Sequence, residues 1–507
     1  MDAAELYRVC LRRTELIKDL NAFISIQKEF KPHKQSNQNS SRLHNIPIAV
    51  KDNFCTKGIT TTCGSRMLKD FVPTYNATVV ERLLNHGATI IGKCNLDEFA
   101  MGSGTVDSIH GPTKNIWRSN IAYSIDDQEV KLPADWRISG GSSGGSAVAV
   151  ATGTCFAGMR KPQHTTPLLL HPIYQKWQGR GIKKMALGSD TGGSARNPAA
   201  HCGIVGFKPT YSTVSRHGLI PLVNSMDVPS VLTRSVSDAT TVYGVICGRD
   251  SFDSTTVATD TRPEKPLSID PVQIRIGIPM EYHPSGLSEE VLAAWELVAG
   301  IFEKAGSSVK KVSLPHTKYS ISCYSVLNQA EVASNMARYD GLKYGFRPHE
   351  GTSVESLYAE TRATALGQVV KARILAGNYF LLQRNYKKYF EKALKVRRLI
   401  VNDFLDVWKS VDILVTPTTL TEAPSLSEFC KLDNRQQCSS EDYCTQPCNL
   451  AGCPAISVPV RLSANGLPIG IQLIAPNYKD FFLLAVSNWL ENKISFPKLK
   501  LIDDMIK

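Results

Sequence analysis

Two glycine–serine runs and one lysine are the residues of this chain best suited to acyl chemistry. Gly140–Ser146 reads GGSSGGS and Gly188–Ser194 reads GSDTGGS. Glycine pairs beside serine let backbone N–H groups turn inward and approach a ligand with no Cβ in the way. Such a nest can hold an oxyanion, and the hydroxyl beside it can attack a carbonyl. Lys51 ends a short apolar run, Asn45–Asp52 (NIPIAVKD). A buried lysine can act as a base only where desolvation keeps it neutral. Singly, each serine run also reads as flexible loop and Lys51 as a surface residue at a strand end. Two such runs beside a lysine that ends a buried strand are harder to dismiss than any one alone.

Those residues need a buried scaffold, and the surrounding pattern supplies one. Asn45–Asp52 predicts a buried strand that delivers Lys51 at its end. Ala77–His86 has helical spacing, with Val79, Val80, Leu83 and Leu84 on one face, Gly87 as its stop and Ala88–Ile91 as the next strand. Strand, helix, strand is the grammar of a mostly parallel, doubly wound sheet. Ile138–Thr152 passes from the glycine–serine run into an Ala/Val helix, and Ser288 caps a helix running to Lys304, with Gly306 as its stop. Further strands are expected at Ile274–Ile278, Asp412–Val415, Ala455–Val458 and Ile469–Ile474, and residues 118–135 read as a surface loop. No linker cuts the chain. The expected organisation is a helical segment at 1–44, one large α/β domain at 45–495 and a tail at 496–507.

Composition narrows the class. At 507 residues, 42% hydrophobic and 21% charged, the chain can bury a large core. It has no run of 18 apolar residues, which speaks against a spanning helix and a membrane role. Thirteen cysteines, odd in number and scattered, favour a reducing compartment over a disulfide framework. The first twenty residues carry Arg8, Arg12 and Arg13, but Asp2, Glu5 and Glu15 spoil a transit-peptide reading. Cys430, Cys438, Cys444, Cys448 and Cys453 crowd together without a C-x-x-C spacing, so no metal site is expected. Gly102-Ser103-Gly104 lacks the third glycine of a dinucleotide fingerprint, and no phosphate loop occurs, so ATP chemistry would sit on another chain. GGSSG also fits a nucleophile elbow, but Ala134–Ser139 is a poor preceding strand and nothing singles out a histidine partner.

PIAVKDN (Pro47–Asn53), NLDEFAMGS (Asn95–Ser103), GGSSGGSA (Gly140–Ala147) and GSDTGGSARNPAAHCGIVGFKPT (Gly188–Thr210) resemble the amidase signature family. SRHGLIPLVNSMD (Ser215–Asp227), ASNMARYDG (Ala333–Gly341) and KVRRLIVNDF (Lys395–Phe404) narrow the resemblance to the A subunits of tRNA-dependent amidotransferases, closest to the mitochondrial form. The resemblance implies a single α/β domain whose mixed, mostly parallel sheet is covered by helices on both faces. By matching position it makes Ser194 the nucleophile, Ser142 a relay on a cis peptide and Lys51 the base. It places the oxyanion hole at Thr191, Gly192 and Gly193, with Ser194's own N–H. It sets Tyr324, Arg373 and Asp442 around the substrate glutamine. Asp442 can pair with an α-ammonium and Arg373 can grip an α-carboxylate bidentately. It further implies subunits B and C as partners and Glu-tRNA(Gln) reached through the complex. It implies no cofactor in this chain, ATP and Mg on the partner subunit, and an address in the mitochondrial matrix.

One stretch departs from the pattern. Ser142 and Ser194 are 52 positions apart, about twice the family's spacing. Gly158–Met185 holds six cations and no acid, half of the net charge of +12. Removing it leaves CFAALGSDTGGS, an apolar strand running into the nucleophile turn. The segment therefore reads as a retained, exon-like insert in a core strand, which must loop out or displace the turn. A shift of about 1 Å can cost on the order of a hundredfold in rate. The chain also starts later than the resemblance predicts, as if an N-terminal helix were missing. Three alternatives stay open: an amidase for free small or fatty amides, an assembly subunit impaired by the insert, and a basic arm for tRNA.

Overall fold

The computed structural model describes residues 3–30, 43–126, 128–130, 134–155, 184–258, 267, 269–348, 353–497 and 499–502. Among them the strands are β1 (Phe23–Ile26), β2 (Pro47–Lys51), β3 (Thr89–Cys94), β4 (Tyr123–Ile125), β5 (Gln128–Val130), β6 (Met185–Asp190), β7 (Val205–Lys208), β8 (Val228–Thr233), β9 (Arg275–Pro279), β10 (Ser308–Val312), β11 (Ile413–Pro417), β12 (Ala455–Leu462), β13 (Pro468–Ile474) and β14 (Leu499–Leu501). Eleven form one sheet, in the order β1-β3-β2-β6-β8-β7-β12-β13-β11-β9-β10. The expected single α/β domain with a mixed central sheet is what the chain builds. Its parallel pairings lie in two flanks, β3-β2-β6 and β11-β9-β10. The strands between them run antiparallel, including the tight β12–β13 pair.

Strands β2, β6 and β8 are buried at every position because helices cover both faces of the sheet. Alternate residues feed different cores. Ile48, Val50, Met185 and Leu187 pack into one apolar cluster, while Ala49 and Ala186 pack into another with Ala147, Val148 and Ala151. The second cluster surrounds the helix Gly144–Thr152, which is buried on all sides. Lys51 follows Ala49 by two, so the period of the strand sends it to this same face.

Sequence signals that rest on short-range physics hold in the structure. Ser288 caps the helix Glu289–Lys304 by accepting from the Val291 N–H, and Gly306 ends it at φ +90°. The helix Thr78–Asn85 and the strand after it also form as expected. The stretch 118–135 is not only loop: β4 and β5 pair there, and β14 from the tail adds to β4. Three-residue strands are too short for alternation to reveal, and their partner lies far downstream. The N-terminal stretch likewise holds β1 after its helix, pairing antiparallel with β3 at the sheet edge. Of the basic segment expected at 158–185, residues 158–183 lie outside the described residues. Met185 belongs to β6, which runs unbroken to Asp190 and pairs with β2 and β8.

Beside Lys51, Asp52 forms an ion pair with Lys93 at 3.0 Å, and both side chains are fully buried. Lys93 also donates to the Phe54 carbonyl and the Thr61 hydroxyl. Removing one partner strands a buried charge, so Asp52→Ala should cost about 3–5 kcal/mol by chemical denaturation. Asp406→Ala, which breaks the exposed pair with Lys409, should shift the midpoint far less. Equal shifts would contradict this reading of the core.

Candidate active site

Lys51 is fully buried, and among the described residues its Nζ bonds three hydroxyls: Ser142 at 2.7 Å, Ser143 at 2.9 Å and Ser189 at 3.0 Å. Asn53 donates to the Ser189 hydroxyl at 2.9 Å and so fixes that acceptor. Among the described residues no carboxylate bonds the ammonium, in contrast to Lys93 one strand away. Burial pushes Lys51 down to about 7, although Asp97, Cys63, Asp190 and Asp227 pull the other way from a distance. Near neutral pH a substantial share of Lys51 is therefore free amine, able to accept a proton from a serine hydroxyl.

The two glycine–serine runs meet beneath this lysine. The Gly141–Ser142 peptide is cis. A Cβ on Gly141 would strike the Asp97 carboxylate and lie 2.6 Å from the Gly104 nitrogen, so the loop can pass only as glycine. The Ser143 N–H donates to the Ser194 carbonyl at 3.0 Å and ties one run to the other. Ser142 is fully buried, whereas Ser194 keeps 8% of its surface exposed. No bond joins the Ser194 and Ser142 hydroxyls among the described residues; the link from Ser142 to Lys51 is the one already made. None of the amide N–H groups of Thr191, Gly192, Gly193 and Ser194 donates to a described residue. Four adjacent amides that donate to no described residue, beside a reachable hydroxyl, are suited to an oxyanion.

A buried ion pair fastens both ends of that turn. Asp190, the last residue of β6, meets Arg196 through Nε at 3.0 Å and Nη2 at 2.8 Å, with both side chains fully buried. Asp190 also accepts from the Ala195 N–H at 3.1 Å. Arg196 reaches on to the Thr445 carbonyl at 3.0 Å and to Gln472 at 2.6 Å. Burial pushes the Asp190 carboxyl up, but the Arg196 charge and its hydrogen bonds overcome this and hold it at about 2.

The residues expected around a substrate stand against the turn. A Cβ on Gly192 would come within 2.9 Å of the Tyr324 ring, and one on Gly193 (φ +152°) within 2.8 Å of Asp442 Oδ1. Tyr324 and Asp442 are thus walls of the turn. Arg373 joins them through Asn328, which accepts from Arg373 at 3.2 Å and donates to the Tyr324 hydroxyl at 3.2 Å. Asn434 accepts a second Arg373 bond at 2.8 Å. Asp442 is 6% exposed, its Oδ1 is unbonded among the described residues, and burial together with neighbouring Glu441 pushes its carboxyl well up. A buried carboxylate oxygen without a donor beside the turn is suited to a cationic group.

Ser143, Ser189, Asp190, Arg196 and Asp227 are not singled out by sequence reasoning. Their signal is present in the motifs themselves: the doubled serine in GGSSGG, and the Asp and Arg flanking TGGSA. Every cysteine is free, with Cys444, Cys448 and Cys453 buried and Cys430 exposed. Among the described residues no three His, Cys, Asp or Glu side chains gather as a metal site would require.

Because the folded Asp190 carboxyl lies below its ordinary value of 3.8, its pairing stabilises the fold above about pH 4, and the benefit is lost as pH falls toward 2. Arg196→Met should therefore be markedly less stable than the parent at pH 7, with the gap in denaturation midpoints narrowing between pH 4 and 2. A gap independent of pH in that window would contradict the pairing.

The amidase family model matches residues 5–159 and 179–484, leaving 160–178 unmatched. The A subunit of mitochondrial glutamyl-tRNA(Gln) amidotransferase from Anopheles gambiae is 52% identical over 98% of this chain and 95% of its own length. The mouse protein of the same name is 52% identical over 98% of this chain and 91% of its own. The crystal structure of the A subunit of glutamyl-tRNA(Gln) amidotransferase from Thermotoga maritima superposes with a TM-score of 0.76 at 32% identity, covering 99% of this chain and 95% of that one. The buried lysine, the paired serine loops and the free N–H turn lie in the matched regions, and this chain belongs to the amidase family.

Proposed function

We propose that this chain is the glutamine-hydrolysing subunit of a mitochondrial tRNA-dependent amidotransferase. Its reaction would release ammonia, which partner subunits B and C would use, with ATP and Mg bound outside this chain, to convert Glu-tRNA(Gln) to Gln-tRNA(Gln). The observation that carries the reading is the Lys51–Ser142 bond at the foot of the Ser194 turn. Likeness to the mitochondrial A subunits over nearly the full chain supports the substrate, the partners and the address.

The chemistry follows from the groups present. Neutral Lys51 takes the Ser142 proton as Ser142 takes that of Ser194. The Ser194 oxygen attacks the carboxamide carbon of glutamine, and the N–H groups of Thr191 to Ser194 hold the developing oxyanion. The C–N bond breaks as the proton returns along the relay to the leaving nitrogen, which departs as ammonia. Water then attacks the glutamyl ester by the same relay, giving glutamate and restoring Ser194. Asp442 takes the α-ammonium, Arg373 the α-carboxylate, and Tyr324 closes the side. The open Ser194–Ser142 link is one that substrate would close, as catalytic hydrogen bonds often tighten on binding. One acidic and one cationic side chain, Asp442 and Arg373, suit an amino acid rather than a fatty amide. An unbroken β6 and a fully formed turn favour a competent site over an impaired assembly subunit.

Assembled with its partners, the parent should release ammonia from glutamine, and Ser194→Ala and Lys51→Met should each lower kcat by at least about a thousandfold. Activity of Ser194→Ala near the parent's would overturn the assignment. Since the base must be neutral and burial holds Lys51 at about 7, kcat/KM should rise with pH through that value and level off above it. A profile already flat from about pH 5.5 would exclude Lys51 as the base. Asp442→Asn should raise KM for glutamine at least about tenfold through its lost ammonium contact; an unchanged KM would remove Asp442 from the substrate site.

A further inference from the structure

The three motifs that narrowed the family resemblance converge on one loop, Leu222–Asp227. Glu331, from the helix Ser320–Met336, accepts from the Ser225 N–H at 3.1 Å and from the Ser225 hydroxyl. Arg397, from the helix Lys392–Val407, donates to the Ser225 hydroxyl and carbonyl, both at 3.0 Å. Asn335 donates to the Leu222 carbonyl at 3.0 Å. Three side chains from two helices thus fix a six-residue loop whose inner end is Asp227.

Asp227 is 2% exposed, and its carboxylate accepts three hydrogen bonds and lies 4.0 Å from the Arg216 guanidinium. Oδ2 accepts the N–H groups of Leu222 and Val223, both at 2.9 Å, and so closes the loop on itself. Oδ1 accepts the Thr191 hydroxyl at 2.7 Å. The sheet aims this contact: β6 and β8 pair Asp190 with Val228, so the next residues outward, Thr191 and Asp227, face one another. Thr191 opens the turn whose N–H groups donate to no described residue. Asp190 and Arg196 fasten the backbone on either side of the turn, but neither holds the Thr191 side chain.

We infer that Asp227 is a positioning residue for the oxyanion turn, acting through the Thr191 hydroxyl from the end of a loop that Glu331 and Arg397 fasten at Ser225. The inference rests on the reading of the Thr191–Ser194 amides as oxyanion donors. Without the Oδ1 acceptor the Thr191 side chain is released, and the N–H groups lose the direction that a tetrahedral intermediate needs. That interaction is made in the transition state and not with bound glutamine, so its loss falls on kcat and spares KM.

The test uses the assembled complex carrying Asp227→Ala, Thr191→Val, Thr191→Ser or the Asp227→Ala/Thr191→Val double change. Two rates are read: ammonia release from glutamine, and covalent labelling of Ser194 by a fluorophosphonate, which needs the same turn but no glutamine. Asp227→Ala and Thr191→Val should each lower kcat and the labelling rate by about ten- to a hundredfold, with KM within about twofold. Thr191→Ser, which keeps the hydroxyl, should retain activity within about threefold, and the double variant should be no worse than either single change. An unchanged kcat, a rise in KM in its place, or losses that multiply in the double variant would overturn the inference. If Asp227→Ala fails to fold by its melting temperature, Thr191→Val, which leaves the loop's own bonds intact, carries the test. A parent that is labelled but releases no ammonia refutes the glutaminase reading while the labelling rates still judge Asp227; a parent neither labelled nor active refutes both.

Discussion

A lysine nitrogen enclosed by hydroxyls, with no bonded carboxylate among the described residues, is the constraint from which the chemistry of this fold follows. Taking an ammonium out of water costs several kcal/mol unless it is paired, and a group denied a partner gives up its charge instead. The chain shows both outcomes on neighbouring strands. Lys93 keeps an ion pair with Asp52 at 3.0 Å. Among the described residues Lys51 bonds only Ser142, Ser143 and Ser189, and burial brings it down to about 7. The same strand ladder buries both residues, and the side chains around them decide which is structural and which can accept a proton.

A base is useful only if the nucleophile is aimed, and the turn after β6 is aimed from three directions. Asp190 and Arg196 span it from strand to helix. The Thr445 hydroxyl holds the Gly192 carbonyl at 2.7 Å from the far side. Asp227 holds the Thr191 side chain from the neighbouring strand. With the Gly192, Gly193 and Ser194 carbonyls and the Thr191 hydroxyl occupied, the turn keeps N–H groups that donate to no described residue. Glycine at 192 and 193 is demanded by the walls, since Tyr324, Thr445 and Asp442 stand where a Cβ would go. The turn is therefore stiff without secondary structure of its own.

How much of this is legible in the sequence follows the range of each interaction. Lys51 can be placed at a buried strand end because NIPIAVKD is continuously apolar up to it, and the Ser288 cap can be placed because capping is local. The serines and the glycine turn are legible from motif resemblance, not from periodicity. Asp190–Arg196 is not, because its other partners, Thr445 and Gln472, lie some 250 residues or more downstream in sequence. Ser143 and Ser189 look like any polar residue until the lysine is seen between them. β4, β5 and β14 escape a sequence reading because three residues carry no usable alternation and their pairing is long-range. Met185 falls with the basic segment on sequence because it follows Lys183 and Lys184, yet its side chain opens β6 in the core.

The account turns on the charge of one nitrogen. The direct measurement is an NMR titration of the Lys51 side-chain nitrogen in 15N-lysine-labelled protein, assigned by comparison with Lys51→Arg. A midpoint near 7 is what burial among three hydroxyls requires. A midpoint near about 10, the ordinary lysine value, would mean that Lys51 stays charged at working pH, and the proton relay built on it would have to be abandoned.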